Sequence, residues 1–285
     1  ELLRLKKTVG IHYKSDVRKA IALCLDAAAS VGRILKDPKP VCLLKDFGEV
    51  EALQVSANGP RDFTNKAVAK SEDILRADLE NARPNYGFQA LSCSVEGTDP
   101  TRRWIITPLD GSMNYLHGIP HWAVSIALEH KGEVVSAVTY DPLRDELFWA
   151  EKGTGAWLDG RTRLRVSGRI ALVECIFATG LPAAAEKYLP AAIKDLVQLL
   201  PVCAGVRQSG VPSLDLAHVA AGRFDGFWQR GMKPWEFATG ILILREAGGF
   251  AEPIRDTQTM LQDGHVIGGS SAIFEKFSKI IRSTD

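Results

Sequence analysis

The chain has 285 residues, 46% of them hydrophobic and 24% charged, the balance of a folded globular protein and not of a disordered or collagen-like one. Thirty-five Lys and Arg against thirty-four Asp and Glu leave a net charge of +1, which gives no bulk electrostatic footprint for nucleic acid or an anionic membrane. No run of about eighteen apolar residues occurs, which excludes a hydrophobic membrane helix, and the length suits one large domain or two closely packed ones.

The order of elements can be read from periodicity. After Ser15, a capping residue type, Val17, Ile21, Leu25 and Ala28 recur at helical spacing until Asp37-Pro38 stops the pattern. Lys66 to Arg83 predicts a second helix, with Ile74 and Leu75 inward, Glu72 and Arg76 outward as an i,i+4 pair, and Pro84 beyond its end. The texture then turns to strands: 103–107, 122–128, 133–140 and 146–150 are rich in β-branched and aromatic residues. Lys131-Gly132 and Asp141-Pro142 separate the last three, which predicts an antiparallel meander. Further on, 171–178 is apolar, 186–200 and 212–221 are helical, 224–228 is strand-like, 235–247 is helical, and a helix closes the chain. The expected organisation is an N-terminal α+β half over 1–165 and an α/β half over 166–285, packed as one unit without a flexible linker.

Cysteines at 24, 42, 93, 175 and 203 form no Cys-x-x-Cys pair, so neither a zinc ribbon nor a redox dithiol is indicated, and a reducing compartment fits best. The sequence begins at Glu1 with basic Arg4, Lys6 and Lys7, which reads either as the new start left by a removed targeting peptide or as a plain boundary. His117, His121, His130 and His265 are scattered among turn and strand residues and are expected to be structural or exposed. The tryptophans are expected as core or interface anchors, and Cys93 as an inert thiol.

Chemistry concentrates in two stretches. In Trp104-Ile-Ile-Thr-Pro-Leu-Asp-Gly-Ser-Met-Asn-Tyr115 an apolar strand runs into a Gly/Ser/Asn-rich turn, where the backbone around Gly111 and Ser112 could face an anion. The simplest role for Ser112 and Asn114 is to cap a helix. The second stretch, Lys233-Pro-Trp-Glu-Phe-Ala-Thr-Gly240 through Glu246-Ala-Gly-Gly249, is a helix with Pro234 and Glu236 in its first turn.

Together these stretches resemble the inositol monophosphatase family, whose signatures read Trp-Ile-x-Asp-Pro-x-Asp-Gly-Thr-x-Asn and Trp-Asp-x-Ala-Ala-Gly followed by Glu-Ala-Gly-Gly. The likeness runs from the first predicted helix to the C-terminal half. It implies a layered α-β-α-β-α sandwich, of α+β and α/β character, that hydrolyses small phosphomonoesters with two or three Mg²⁺ ions. Such a cation prefers oxygen ligands, makes its bound water a better nucleophile and neutralises phosphate charge.

Carried across residue by residue, the resemblance loses carboxylates. The first metal-binding acid aligns with Leu91 and its acidic neighbour with Ser92; the first Asp of the central signature is Thr107. Asp110 and Ser112 remain, and the acid after tryptophan is Glu236, one methylene longer. Upstream, the Asp-x-Val-Thr-x-x-Asp pattern ends in Val68, with Asn58 where a basic residue is expected, and the acid that helps hold the polyol is Gln229. The bulk of Val211-Pro212 is expected to narrow the polyol pocket. Four acids around the ions thus reduce to Asp110 and Glu236, and each lost carboxylate–cation contact removes several kcal/mol, roughly, even at an effective dielectric near 20.

The reading drawn from this deficit is a pseudoenzyme: an inositol-monophosphatase-like scaffold that uses no cofactor and serves as a structural or regulatory subunit of a larger assembly. Its partner is expected to be a protein or a second copy of the chain, with no membrane partner. A mitochondrial matrix location is expected, with the cytoplasm as the alternative. Two other readings stand beside it. One is an active Mg²⁺-dependent phosphatase of inositol or sugar phosphates with a rebuilt metal site, for which Glu96 is the best substitute ligand, ahead of Asp99 and Asp145. The other is a binding module that holds a phosphometabolite on Gly111, Ser112, Asn114 and Arg207 without chemistry.

Overall fold

The structure, a computed structural model, describes residues 55–59, 62–181, 186–255 and 260–284. The helix predicted after Ser15 lies outside the described residues. A hairpin of β1 (Val55–Gly59) and β2 (Asp62–Asn65) leads into helix α1 (Lys66–Ala82). Along α1 the buried positions are Val68, Ser71, Glu72, Leu75, Leu79 and Ala82, a stripe at spacings of three and four that faces a sheet. This corrects one expectation. Glu72 stands on the stripe one turn beyond Val68 and points inward, and Arg76 pairs with Glu80 at 2.7 Å instead.

That sheet has eight strands in the order β10-β9-β8-β7-β6-β5-β3-β4: β3 (Tyr86–Gln89), β4 (Ser94–Val95), β5 (Asp99–Asp110), β6 (Ala123–His130), β7 (Glu133–Asp141), β8 (Glu146–Glu151), β9 (Gly155–Leu158) and β10 (Thr162–Arg163). Strands β6, β7 and β8 form the predicted antiparallel meander. Its first turn is tight because Lys131 and Gly132 both take positive φ, 54° and 82°, the twist that two-residue hairpins require. On β5 the side chains alternate between layers: Trp104 and Ile106 join Leu75 and Leu79 of α1, whereas Ile105 joins Ala127 and Ala238 on the opposite face. Both faces are covered, which explains why this strand reads as an apolar run.

The second sheet, β12-β11-β13-β15-β14, comprises β11 (Ile176–Gly180), β12 (Gly205–Arg207), β13 (Gly226–Gln229), β14 (Phe250–Pro253) and β15 (Val266–Gly269). Strands β11, β12 and β13 are parallel, whereas β14 and β15 run antiparallel to their neighbours. Between the sheets lie α4 (Pro212–Ala220) and α5 (Pro234–Glu246); α3 (Leu189–Leu199) and α7 (Phe274–Arg282) cover the far face, and α2 (Ser112–Leu116) and α6 (Met260–Asp263) are short. Every residue of α4 is buried, as a helix enclosed by protein on all sides demands. Gly240 permits this layer: a Cβ there would stand 2.4 Å from Leu216 Cβ, so only glycine lets α5 cross α4 this closely. The layers are therefore α1, the eight-stranded sheet, the α4–α5 pair, the five-stranded sheet, and α3 with α7. No described helix is long and apolar enough to cross a membrane.

Candidate functional site

The site forms where the last residues of β5 meet the first turns of α4 and α5. The pairing of β5 with β6 shifts register between Thr107 and Asp110, so the strand bends as it ends. Gly111 then takes φ 82°, and the missing side chain matters twice. A Cβ there would adopt a left-handed conformation and lie 2.8 Å from Val211 Cγ2. Helix α2 starts at Ser112 with Gly111 as its cap and no side-chain cap bond, so Ser112 does not do the capping that its residue type suggests.

Asp110 is buried, 6% exposed. Its Oδ2 accepts from the backbone N–H of Ser213 at 2.9 Å and from the Ser213 hydroxyl at 2.5 Å. Burial pushes its pKa up to about 7; the Ser213 bonds oppose that, and the negative charge of Glu236 adds to it. Glu236, half-buried in the first turn of α5, accepts at Oε2 from the Lys233 N–H at 2.6 Å. Burial raises its pKa too, against the pull of that N–H and of the Lys233 charge. Asp110 thus senses the charge of Glu236, and each carboxylate is held by donors at the start of a middle helix.

Thr107 closes the same cleft, its hydroxyl donating to the Trp235 carbonyl. Asn114 does not cap α2 either: its Nδ2 donates to the His121 carbonyl at 2.9 Å and to the Ser209 carbonyl at 2.8 Å, tying the corner to the loop before α4. Ser209 in turn donates through its hydroxyl to Asp215 at 2.7 Å. Burial drives the Asp215 pKa up to about 8, opposed by Ser209 and assisted by Asp110. Sequence reasoning missed Ser213 and Asp215. Their signal was the run Pro212-Ser-Leu-Asp215 opening a wholly buried helix, where polar residues need partners.

Other predicted residues lie outside this arrangement. Leu91 is 42% exposed on the loop between β3 and β4. The adjacent acid is Glu72, which accepts from Ser92 N–H and hydroxyl and from Cys93 Sγ; burial and Glu72 push the Cys93 thiol up, in keeping with an inert role. Glu96 is exposed, Asp99 binds Thr101 and Arg102, and Asp145 accepts from the Tyr140 hydroxyl. Arg207 is exposed and donates back to the Val206 carbonyl. Val68 packs with Leu109, Tyr115 and Trp122 beneath the corner. Gln229 fills the space that Gly180 leaves, with its Oε1 buried and unpartnered. His121 is no isolated surface group, because its Nδ1 meets Arg144 at 3.2 Å.

A profile of the inositol monophosphatase family matches residues 16–284. The chain belongs to that family. Among relatives of the family, an inositol-1-monophosphatase of Mesorhizobium japonicum is 44% identical, over 90% of this chain and 94% of that protein. An inositol-1-monophosphatase of Caulobacter vibrioides is 47% identical, over 81% of this chain and 89% of that protein. Among solved structures, the extragenic suppressor protein suhB of Bartonella henselae superposes with a TM-score of 0.78 at 42% identity, covering 82% of this chain and 90% of that one. The fold is the family's mixed, layered sandwich.

These relatives overturn the expectation of a pseudoenzyme acting as a structural or regulatory subunit. Proteins 44% and 47% identical, matched over most of their length, are named as phosphatases. The expectation of no cofactor loses its ground as well.

Proposed function

We propose that the chain hydrolyses small phosphate monoesters of the inositol or sugar phosphate class with the help of Mg²⁺. The observation that carries this reading is the pair Asp110 and Glu236: two buried or half-buried acids, each raised by burial, brought together from β5 and α5 at the end of a glycine-turned strand. Family membership and the names of its relatives supply the reaction class.

The donor set can be tested against the metal. Asp110, Glu236 and the Thr107 hydroxyl are hard oxygen donors of the kind Mg²⁺ takes. They fit one ion. They do not fit a cluster, and among the described residues no three His, Cys, Asp or Glu side chains come together as a metal site. When bound, Mg²⁺ supplies Lewis acidity and a more acidic water.

The residues of the chain do the rest. Gly111 lets the backbone approach the phosphate without a side chain in the way, Ser112 offers a hydroxyl beside it, and Asn114 fixes the corner to the loop before α4. Water oxygen bonds to phosphorus as the ester P–O bond breaks, and the leaving alkoxide takes a proton to depart as the alcohol.

The test is release of inorganic phosphate from inositol 1-phosphate, fructose bisphosphate and a nucleoside monophosphate in millimolar Mg²⁺. Turnover that disappears in Asp110→Asn is expected. Equal release by the parent protein and the variant, or none from any substrate, defeats the reading.

A further inference from the structure

Resting on that phosphatase reading, we infer that the buried threonines Thr139 and Thr239 are positioning residues: together with Thr107 they pin α5 to the eight-stranded sheet and so set where its first turn holds Glu236. The register of β5, β6 and β7 places three hydroxyl residues side by side, since Thr107 pairs with Ser125 and Ser125 with Thr139. Residues two positions away on the same strands, Ile105, Ala127 and Ala137, pack towards the α4–α5 layer, so the hydroxyl row faces that layer as well. All three are buried, as is Thr239 of α5.

The bonds run from the sheet into the helix. The Ser125 and Thr139 hydroxyls meet at 3.1 Å, and Thr139 donates to the Thr239 hydroxyl at 2.9 Å. Thr139 has one proton to give, so Ser125 is the donor in the first bond. One turn earlier in α5 the Trp235 carbonyl accepts from Thr107. The two anchors on α5 are four residues apart, a rise of about 6 Å, and on the sheet they are two strands apart, about 10 Å. Anchors separated in both directions oppose sliding and rotation of the helix, which the non-directional apolar contacts around it do not. Valine has nearly the shape of threonine and no polar group to satisfy, so filling space does not call for hydroxyls here. What they add is direction. Glu236 lies between the anchors, next to Trp235, and its carboxylate moves with them. A misplacement of about 1 Å at a reacting centre costs up to about 100-fold in rate.

In the full chain, Thr139→Val, Thr239→Val and the double variant keep the shape and remove the hydroxyl bond, whereas Thr239→Ser keeps the hydroxyl. Two readouts apply: phosphate release from inositol 1-phosphate in millimolar Mg²⁺, and amide hydrogen exchange followed by mass spectrometry, which needs no activity. In each valine variant exchange should rise about 10-fold or more over 235–240 and stay at the parent's level over 241–246. The kcat should fall about 10-fold with KM within about twofold, the double variant should be no worse than the single ones, and Thr239→Ser should stay within about twofold of the parent. Exchange unchanged over 235–240 or raised equally along α5, kcat unchanged in both valine variants, or serine behaving like valine overturns the inference. Faster exchange confined to the first turn in a protein that releases no phosphate from any substrate would defeat the phosphatase reading and leave the anchoring of α5 standing. Phosphate release by a parent whose valine variants match it in both readouts would do the reverse.

Discussion

The protein buries carboxylates in two very different ways. At the outer face, Asp195 of α3 is fully buried and meets Arg230 through two bonds, Nε at 2.8 Å and an Nη at 3.0 Å, with the Thr284 hydroxyl completing the network. At the cleft, Asp110 is nearly as buried, yet its hydrogen-bond partners are neutral donors: the Ser213 amide and hydroxyl and its own neighbour's N–H. The first arrangement is self-contained, with charge, fork geometry and hydrogen bonds matched inside the fold. The second leaves negative charge uncompensated beside another acid, which a fold tolerates where something outside the chain supplies the positive charge.

Breaking the matched pair has the largest expected effect. Arg230→Met strands the Asp195 charge in an apolar layer, and removing one partner of a buried ion pair destabilises by about 3–5 kcal/mol. Urea unfolding of the variant should show that loss in full. A loss below about 1 kcal/mol would mean that water reaches Asp195 and that the two regions differ less than their contacts indicate. The same kind of change at the cleft should act in the opposite sense on stability. Asp110→Asn keeps an amide oxygen for Ser213 and removes the charge, so the variant should be as stable as the parent or up to about 1 kcal/mol more stable. Phosphate release should fall about 100-fold or more, equivalent to about 2.7 kcal/mol of transition-state stabilisation. Stability lost together with activity would mean that Asp110 serves the fold and not the reaction.

Much of this architecture was legible from the sequence, for identifiable reasons. Apolar periodicity placed α1, and the Lys131-Gly132 turn placed the meander, because both are local. The strand-to-turn corner at Asp110 and the acid in the first turn of α5 were visible as motifs. Contacts across layers were not. Ser213 reaches Asp110 across 103 residues and Thr107 reaches Trp235 across 128, and no spacing rule connects such pairs. Glu72 was misplaced because a charged residue at i,i+4 from Arg76 reads as a surface pair, whereas the stripe through Val68 and Leu75 carries it inward. The count of missing acids came from the resemblance alone. It was overextended when it was made to decide whether the chain is an enzyme.

A third buried acid sharpens the comparison through pH. Asp215, driven up to about 8, stays protonated in the folded protein across a range in which the unfolded chain has ionised it. The folded state therefore binds more protons between about pH 4 and pH 8, so this group's contribution is largest at low pH and is lost as pH rises through that window. Asp215→Asn, which retains an acceptor for Ser209, should remove that slope. Its stabilisation relative to the parent should grow by roughly 3–4 kcal/mol between pH 5 and pH 8 in urea unfolding. A difference that is flat with pH would show that Asp215 is ionised in the folded state and has found positive charge, as Asp195 has.

The smallest effect is expected from Ser213→Ala, and it bears directly on what the neutral donors at the cleft do. The hydroxyl at 2.5 Å is lost while the backbone N–H at 2.9 Å remains on the same oxygen, so Oδ2 of Asp110 keeps a donor and the fold should lose only about 1 kcal/mol. The hydroxyl competes with any cation for the electrons of that carboxylate, since a donor and a metal both draw on its lone pairs. Removing it should therefore tighten Mn²⁺ binding several-fold while stability falls, two readouts moving in opposite directions. A variant that loses both together would show that Ser213 holds Asp110 in position for the cation, and would place the serine among the groups that build the site.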